Sequence, residues 1–302
     1  YHHLNVRFSL SQIQSIDYGT WFKIAKSILK GNCKYELTEL HRTSLPELSL
    51  LWEAVRNKEN IIDEILSGNG YVRELDDEKL LEYCENQIIL CLNYDGLYGI
   101  NNLNLILQEK NKGEKFRIGS YVYKINDPIL FTENNRYSRV LYNNLKGKIT
   151  GYKFENDFVK IYLKIDANIN SMSIEDLEGI ELIKINDDNT SDICISVDRQ
   201  FDSDNDEQIS KLVPFQLAYA VAIHKAQGLE YEKVKVVISE NLDERVTHDI
   251  FYTAITRATK ILEIYWSQNT QKIVLNNIIE KEEMKDIALF ASKYGYKIRE
   301  KY

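Results

Sequence analysis

The chain has 302 residues, 44% hydrophobic and 28% charged, which describes a globular protein with a sizeable core and room for two or three compact domains. It has no apolar run long enough for a spanning helix, and its four scattered cysteines (Cys33, Cys84, Cys91, Cys194) form neither a zinc pattern nor a secreted framework, so a reducing cytoplasm and no membrane are expected. With 38 basic against 46 acidic side chains and a net charge of −8, it is not a nucleic-acid binder that works by overall charge, although a locally basic channel or stacking on some of its 20 tyrosines stays open.

In chain order, Phe8 to Phe22 reads as a loop entering a helix at Trp21, and Tyr35 to Leu40 as a short strand. Thr43 or Ser44 caps a helix that starts near Pro46 and buries Leu48, Leu51, Trp52 and Val55 at helical spacing. The helical pattern runs from Leu51 to Leu66 and closes at Ser67 to Gly70; Asp76 to Cys84 reads as another helix with an acidic outer face. Gln87 to Asn93 is a short apolar run and reads as a buried parallel strand. A turn from Tyr94 to Gly99 leads into a helix, Ile100 to Lys110, with Leu103, Ile106 and Leu107 facing in. From Phe116 the period changes to two. The runs Tyr121 to Ile125, Pro128 to Thr132, Gly147 to Tyr152, Phe158 to Ile165, Leu182 to Ile185 and Ile193 to Val197, punctuated by Asn, Asp and Gly, suggest a small antiparallel barrel. The acidic stretch Phe201 to Glu207 lacks the glycine and terminal glutamate of a calcium loop and reads as a linker.

The stretch from Tyr219 to Tyr231 is an amphipathic segment ending at Gly228, followed by a polar turn and a β-branched run, Val234 to Ile238, that signals a buried strand. A second stretch, Phe251 to Thr259, precedes the apolar strand Leu262 to Trp266. Ile223, His224, Lys225, Gln227, Gly228, Glu230 and Tyr231, then Tyr252, Thr253, Ala254, Thr256, Arg257 and Ala258, fall in the order and spacing of two motifs. Together they resemble the last two motifs of the superfamily 1 helicases, the UvrD/RecD group. One departure is Ala222, where that family has threonine.

Other segments fit the same resemblance. Cys33 to Ser44 is similar to the family motif whose arginine reaches the nucleotide's terminal phosphate, which puts Arg42 in that role; by itself Arg42 also reads as a surface arginine at a strand end. Gln12 and Ile13 match the end of the motif that links the two motor lobes, with Phe8 and Ser9 in place of its Gly-Asp. The stretch Lys124 to Ile149 resembles the barrel insert of RecD-like helicases, with Asp127 and Gly147 in register and with Asn126 and Asn144 where the family has glycine. Asparagine tolerates left-handed backbone, so those turns are expected to survive.

The resemblance implies an α/β fold: a RecA-like parallel sheet with flanking helices, the second lobe of a P-loop NTPase, carrying an inserted small antiparallel β-barrel. The implied domains are a remnant of the first motor lobe or linker (1–30), the first part of the second lobe (31–115), a Src-homology-like barrel (116–204), the second part of the lobe (205–270) and a helical tail (271–302). The function implied is the C-terminal portion of an ATP-dependent DNA or RNA helicase. Arg257 and Arg42 would bring positive charge to the terminal phosphate, because a guanidinium stays charged and binds two oxygens, with Gln12 as a relay. Gly228, Gln227 and Glu230 would meet the nucleotide, Glu230 accepting from a ribose hydroxyl. His224 and Lys225 would face single-stranded or forked nucleic acid or brace the loop; Asn93, Tyr94 and Arg136 are further candidates, with a turn role open for Asn93 and a solvated one for Arg136. The chain contains no Gly-x-x-x-x-Gly-Lys-[Ser/Thr] and no carboxylate pair closing an apolar strand, so ATP and Mg²⁺ are expected to be held mainly by an N-terminal motor lobe encoded before Tyr1, and this chain alone is expected to be inactive. The same fold used as a non-unwinding, nucleotide-regulated scaffold or defence component is the alternative.

Overall fold

The computed structural model describes residues 43–279, apart from 133–136, 138–139, 172–173, 175–176, 199–212 and 241–245. In chain order the helices are α1 (Pro46–Asn57), α2 (Ile62–Gly68), α3 (Ile100–Lys110), α4 (His248–Ile255) and α5 (Gln268–Ile279). The strands are β1 (Val72–Arg73), β2 (Gln87–Cys91), β3 (Lys115–Ile118), β4 (Tyr121–Lys124), β5 (Pro128–Phe131), β6 (Lys146–Phe154), β7 (Phe158–Ile165), β8 (Ile180–Ile185), β9 (Ser191–Asp198), β10 (Phe215–Leu217), β11 (Ala220–Ala222), β12 (Tyr231–Val237) and β13 (Ala258–Tyr265). They fall into two compact units, one made of the residues up to Leu80 together with those from Ala226 on, the other of Leu81–Lys225.

In the first unit β1, β13 and β12 run parallel, with Val72 opposite Ile264 and Val234 opposite Leu262. The C-terminal half of β12 is buried throughout, as expected of a parallel strand covered on both faces. Helix α1 buries Leu48, Leu51, Trp52 and Val55, and α4 joins it through His248, whose Nε2 lies 2.7 Å from the Val55 carbonyl oxygen. Phe251 of α4 stacks on Trp266 at 5.7 Å between ring centroids. The parallel strands and flanking helices fit a RecA-like lobe.

Two helices differ from expectation. The pattern from Leu51 to Leu66 is broken into α1 and α2, because Lys58 takes a left-handed φ of 57° and its N–H turns back to the end of α1. The run Asp76 to Cys84 holds only a 3-10 turn, Glu78–Leu81. There the buried Lys235 of β12 donates its ammonium to the carbonyls of Lys79 and Leu80, which a continuing α-helix would use for itself. The N-cap of α1 is Leu45, not Thr43 or Ser44, and its side chain makes no capping bond.

In the second unit β2 and β11 pair in parallel, Ile89 opposite Ala220 and Cys91 opposite Ala222. Burial pushes the Cys91 thiol up to about 12, so it is a packing residue and not a nucleophile. The period-two runs form an antiparallel sheet ordered β10-β5-β6-β7-β9-β8, beside a separate β3-β4 hairpin. Its core holds Ile129, Phe131, Ile149, Ile161, Leu163 and Ile195, and Phe116 of the hairpin stacks on Tyr152 at 4.4 Å. As expected, Asn126 and Asn144 are left-handed, with φ of 73° and 68°. Among the described residues no helix is long and apolar enough to cross a membrane, and no group of three or more His, Cys, Asp or Glu could hold a metal ion.

Candidate nucleotide and nucleic-acid site

The approach to the first motif is fixed by polar groups that are fully inside the second unit. Asn104, on the inner face of α3, clamps β11 with both ends of its amide: Nδ2 donates to the Ala220 carbonyl at 2.8 Å and Oδ1 accepts the Ala220 N–H at 2.9 Å. One residue earlier, the Tyr219 hydroxyl donates to Asp127 at 2.8 Å. Asp127 also accepts from the side-chain amides of Gln108 and Asn111 and from the Lys124 N–H. Its exposure is 0%, so its carboxylate is a hub joining α3, the β4–β5 turn and β11. Burial and the neighbouring Asp127 raise the Tyr219 phenol well above the ordinary tyrosine range, which keeps it a donor. These residues carry no motif chemistry of their own. The readable signals are an asparagine at an inward helix position and the aspartate of the insert pattern.

After Ala222 the chain makes a 3-10 turn, Ile223–Ala226, in place of the longer amphipathic segment that the pattern suggests. The turn leaves His224 exposed and lets Lys225 donate its ammonium to Gln216 Oε1 at 2.6 Å. Desolvation, and then the Lys225 charge, hold the His224 imidazole below its ordinary value. The folded chain therefore binds that proton less tightly than the unfolded one, and this group contributes stability above the ordinary value that is lost as pH falls. By NMR titration the His224 midpoint is expected below about 6.5 and should rise in Lys225→Met; a midpoint above that value contradicts this environment.

The loop that follows opens the first unit. Gly228 has φ +85°, a backbone conformation that favours glycine, and a Cβ there would meet nothing within 4 Å, so the backbone and not crowding sets the residue type. Gln227 is half-buried and Glu230 exposed. The loop is sewn to the second motif: Tyr231 N–H donates to the Arg257 carbonyl at 3.0 Å, and Thr259 Oγ1 donates to the Tyr231 carbonyl at 3.2 Å.

Arg257 is turned into this join. It is 3% exposed, and it donates from Nε to the Thr253 carbonyl at 2.9 Å, from Nη1 to the Leu229 carbonyl at 3.2 Å and from Nη2 to Thr256 Oγ1 at 3.0 Å. The guanidinium is thus anchored to both motifs at once, a structural role that the motif pattern alone does not announce. Thr43 completes the cluster: its hydroxyl donates to the Thr259 carbonyl at 2.8 Å and accepts the Leu45 N–H at 3.1 Å. Arg42, Gln12, Arg136 and the acidic run Phe201 to Glu207 lie outside the described residues.

At the end of β2, the Asn93 side chain donates to the Asp95 carbonyl, the turn-forming role. Tyr94 is 44% exposed on the same loop. The Asn101 and Gly99 backbone N–H groups close the loop onto Tyr94 and Gly96. Gly96 is left-handed with φ +94°, a backbone conformation that favours glycine.

The family model for the UvrD-like helicase C-terminal domain matches residues 217–265, the span that holds both motifs. RecBCD enzyme subunit RecD of Buchnera aphidicola subsp. Acyrthosiphon pisum is 27% identical over 207 residues, 67% of this chain and 28% of the relative. The same subunit from Buchnera aphidicola subsp. Schizaphis graminum is 22% identical over 254 residues, 82% of this chain and 33% of the relative, so the chain spans about a third of the length of these relatives. Among solved structures, Pif1 helicase from Bacteroides in complex with ADP-AlF3 and ssDNA has a TM-score of 0.47 and 17% identity, over 88% of this chain and 58% of that one. Residues 217–265 thus match the UvrD-like helicase C-terminal domain, and along most of its length the chain is similar to RecD subunits, which supports the C-terminal half of a superfamily 1 helicase.

Proposed function

We propose that this chain is the portion of an ATP-dependent DNA or RNA helicase that brings arginine charge to the nucleotide and supplies part of the single-strand track. In the reaction, a water oxygen bonds to the terminal phosphorus of ATP as the bond from that phosphorus to the β,γ-bridging oxygen breaks, releasing ADP, phosphate and a proton. Such a transfer is accelerated by positioning and by positive charge on the phosphoryl oxygens. Arg42 and Arg257 supply that charge here, Gln12 relays to it, and Gln227, Gly228 and Glu230 meet the nucleotide. ATP and Mg²⁺ are held mainly by a companion motor lobe, since this sequence has no phosphate-binding loop. His224, Lys225, Asn93, Tyr94 and Arg136 line the strand, and the antiparallel sheet of the second unit serves as the barrel insert.

The observation that carries this reading is the hydrogen-bonded join between Leu229–Tyr231 and Arg257–Thr259, which holds the two sequence motifs side by side. The test is magnesium-dependent ATP hydrolysis and strand displacement by the natural protein that carries this chain, beside the chain alone. Nucleic-acid-stimulated hydrolysis with displacement is expected of the former and neither activity of the latter; robust hydrolysis by the chain alone contradicts the division of labour. The net charge of −8 and Ala222 favour a second reading, a non-unwinding scaffold, which hydrolysis without displacement would select.

A further inference from the structure

We infer that the β3–β4 hairpin carries a separate contact for single-stranded nucleic acid, a sequence-independent phosphate grip made by Lys115 and Arg117 with Lys112 beside them. It goes beyond the reading above, because it needs neither ATP nor the two motifs, and it lies wholly inside the second unit. The chain is acidic, with a net charge of −8, yet residues 110–124 hold Lys110, Lys112, Lys115, Arg117 and Lys124 against the single acid Glu114. A cluster of one sign on a protein of the other is a local field that attracts a partner of opposite charge.

The five cations divide by what they touch. Lys110 donates to the Leu81 carbonyl at 2.9 Å. Lys124 donates to the carbonyls of Gln108 and Asn111, both at 2.8 Å, where the end of α3 leaves carbonyls without helical partners. Those two are engaged within the protein. The side chains of Lys112, Lys115 and Arg117 are exposed and make no hydrogen bond or ion pair with any of the described residues. Glu114 accepts the Tyr152 hydroxyl at 2.6 Å instead.

Alternation along β3 turns Phe116 and Ile118 into the core and Lys115 and Arg117 out to water, on one face and about 7 Å apart. Across the hairpin Lys115 stands opposite Lys124, and Arg117 opposite Val122. Like charges directly opposite each other weaken a strand pair. Lys124 draws its ammonium away to the end of α3; Lys115 has no such outlet, and a bound anion relieves it. Beside Lys115, Arg117 and Lys124 this face holds only the half-buried Val122. It therefore lacks the buried aromatic anchor of a protein interface and the apolar belt that a membrane surface takes up. Spaced, free cations on an extended strand suit a chain of regularly repeated phosphates, and such contacts read no sequence.

The experiment follows binding of a fluorescently labelled oligothymidylate by anisotropy, without nucleotide and over a range of salt, in the natural protein that carries this chain. It compares the parent with Lys112→Gln, Lys115→Gln and Arg117→Gln combined, and with Tyr94→Ala. The triple change is expected to weaken binding about 10²-fold near 0.1 M salt and to lower the slope of log affinity against log salt by about 2, since each phosphate contact on a single strand contributes about 0.7. A mixed-sequence oligonucleotide should lose as much, with the melting temperature unchanged because all three side chains are exposed. Parent-like affinity and slope in the triple variant overturn the grip; a loss confined to Tyr94→Ala then leaves the proposed track standing. A parent that does not bind the oligonucleotide overturns the grip as well. Loss in the triple variant of a protein that neither hydrolyses ATP nor displaces strands upholds the grip and removes the function proposed above. Polyglutamate that displaces the oligonucleotide at equal charge overturns the nucleic-acid assignment in favour of an acidic protein partner.

Discussion

Arg257→Ala is expected to lower ATP hydrolysis by the natural protein by about 10³-fold or more and, unlike a freely projecting arginine, to lower its melting temperature as well. The first effect follows from the worth of an arginine positioned on a transferring phosphoryl group. The second follows from the 3% exposure of the side chain and its three hydrogen bonds to Thr253, Leu229 and Thr256. Truncation strips buried carbonyls of their donor, at a cost of about 1–3 kcal/mol. Arg257→Lys separates the effects. It keeps the charge but not the planar fork, so it cannot serve Thr253 and Leu229 together. Hydrolysis in Arg257→Lys is expected to stay well below the parent, with a smaller loss of melting temperature than in Arg257→Ala. Activity assays and thermal melts on the same preparations check both, and an active Arg257→Ala removes the residue from the proposed chemistry.

Asp127→Ala is expected to be the most destabilising single change in the second unit, costing about 3–5 kcal/mol in a urea titration of this chain. The carboxylate has 0% exposure, and removing it orphans donors from Gln108, Asn111, Lys124 and Tyr219 together. Asp127→Asn keeps one acceptor oxygen and should cost less, though its amide then faces donors. The damage does not stay local. Tyr219 leads straight into β11, and Ala222 at the end of that strand precedes His224 and Lys225. Hydrogen exchange at Ala220–Ala222 should therefore quicken in Asp127→Ala even in the absence of denaturant. Unchanged stability would mean that the carboxylate is replaceable by water, and the hub description would fail.

Much of the fold was readable because the relevant signals are local. The alternation in Phe158–Ile165 marks a half-buried antiparallel strand, and the run Gln87–Cys91 a buried one. The left-handed turns at Asn126 and Asn144 could be read because few other residue types tolerate that backbone. What could not be read is long-range. The helix expected over Asp76 to Cys84 is cut to one 3-10 turn where a lysine more than 150 residues away takes its carbonyls. Helical periodicity over Leu51 to Leu66 does not show that Lys58 turns left-handed and ends α1. At the site, the motif residues His224 to Tyr231 and Tyr252 to Ala258 were legible through their resemblance to the helicase motifs, whereas their supports were not. Asn104, Thr43 and the Leu229 carbonyl act through bonds to residues at least 28 positions away, and no local pattern encodes such partners.

The function proposed above has Arg42 and Arg257 act on one phosphoryl group. A double-mutant cycle of Arg42→Ala and Arg257→Ala on the kcat for ATP hydrolysis tests it most directly. Each single change should cost about 10³-fold, and the double change scarcely more than the worse single one, because groups that act as a unit are strongly non-additive. Losses that multiply, or either single variant at the parent rate, would show that the two guanidinium groups do not share a target.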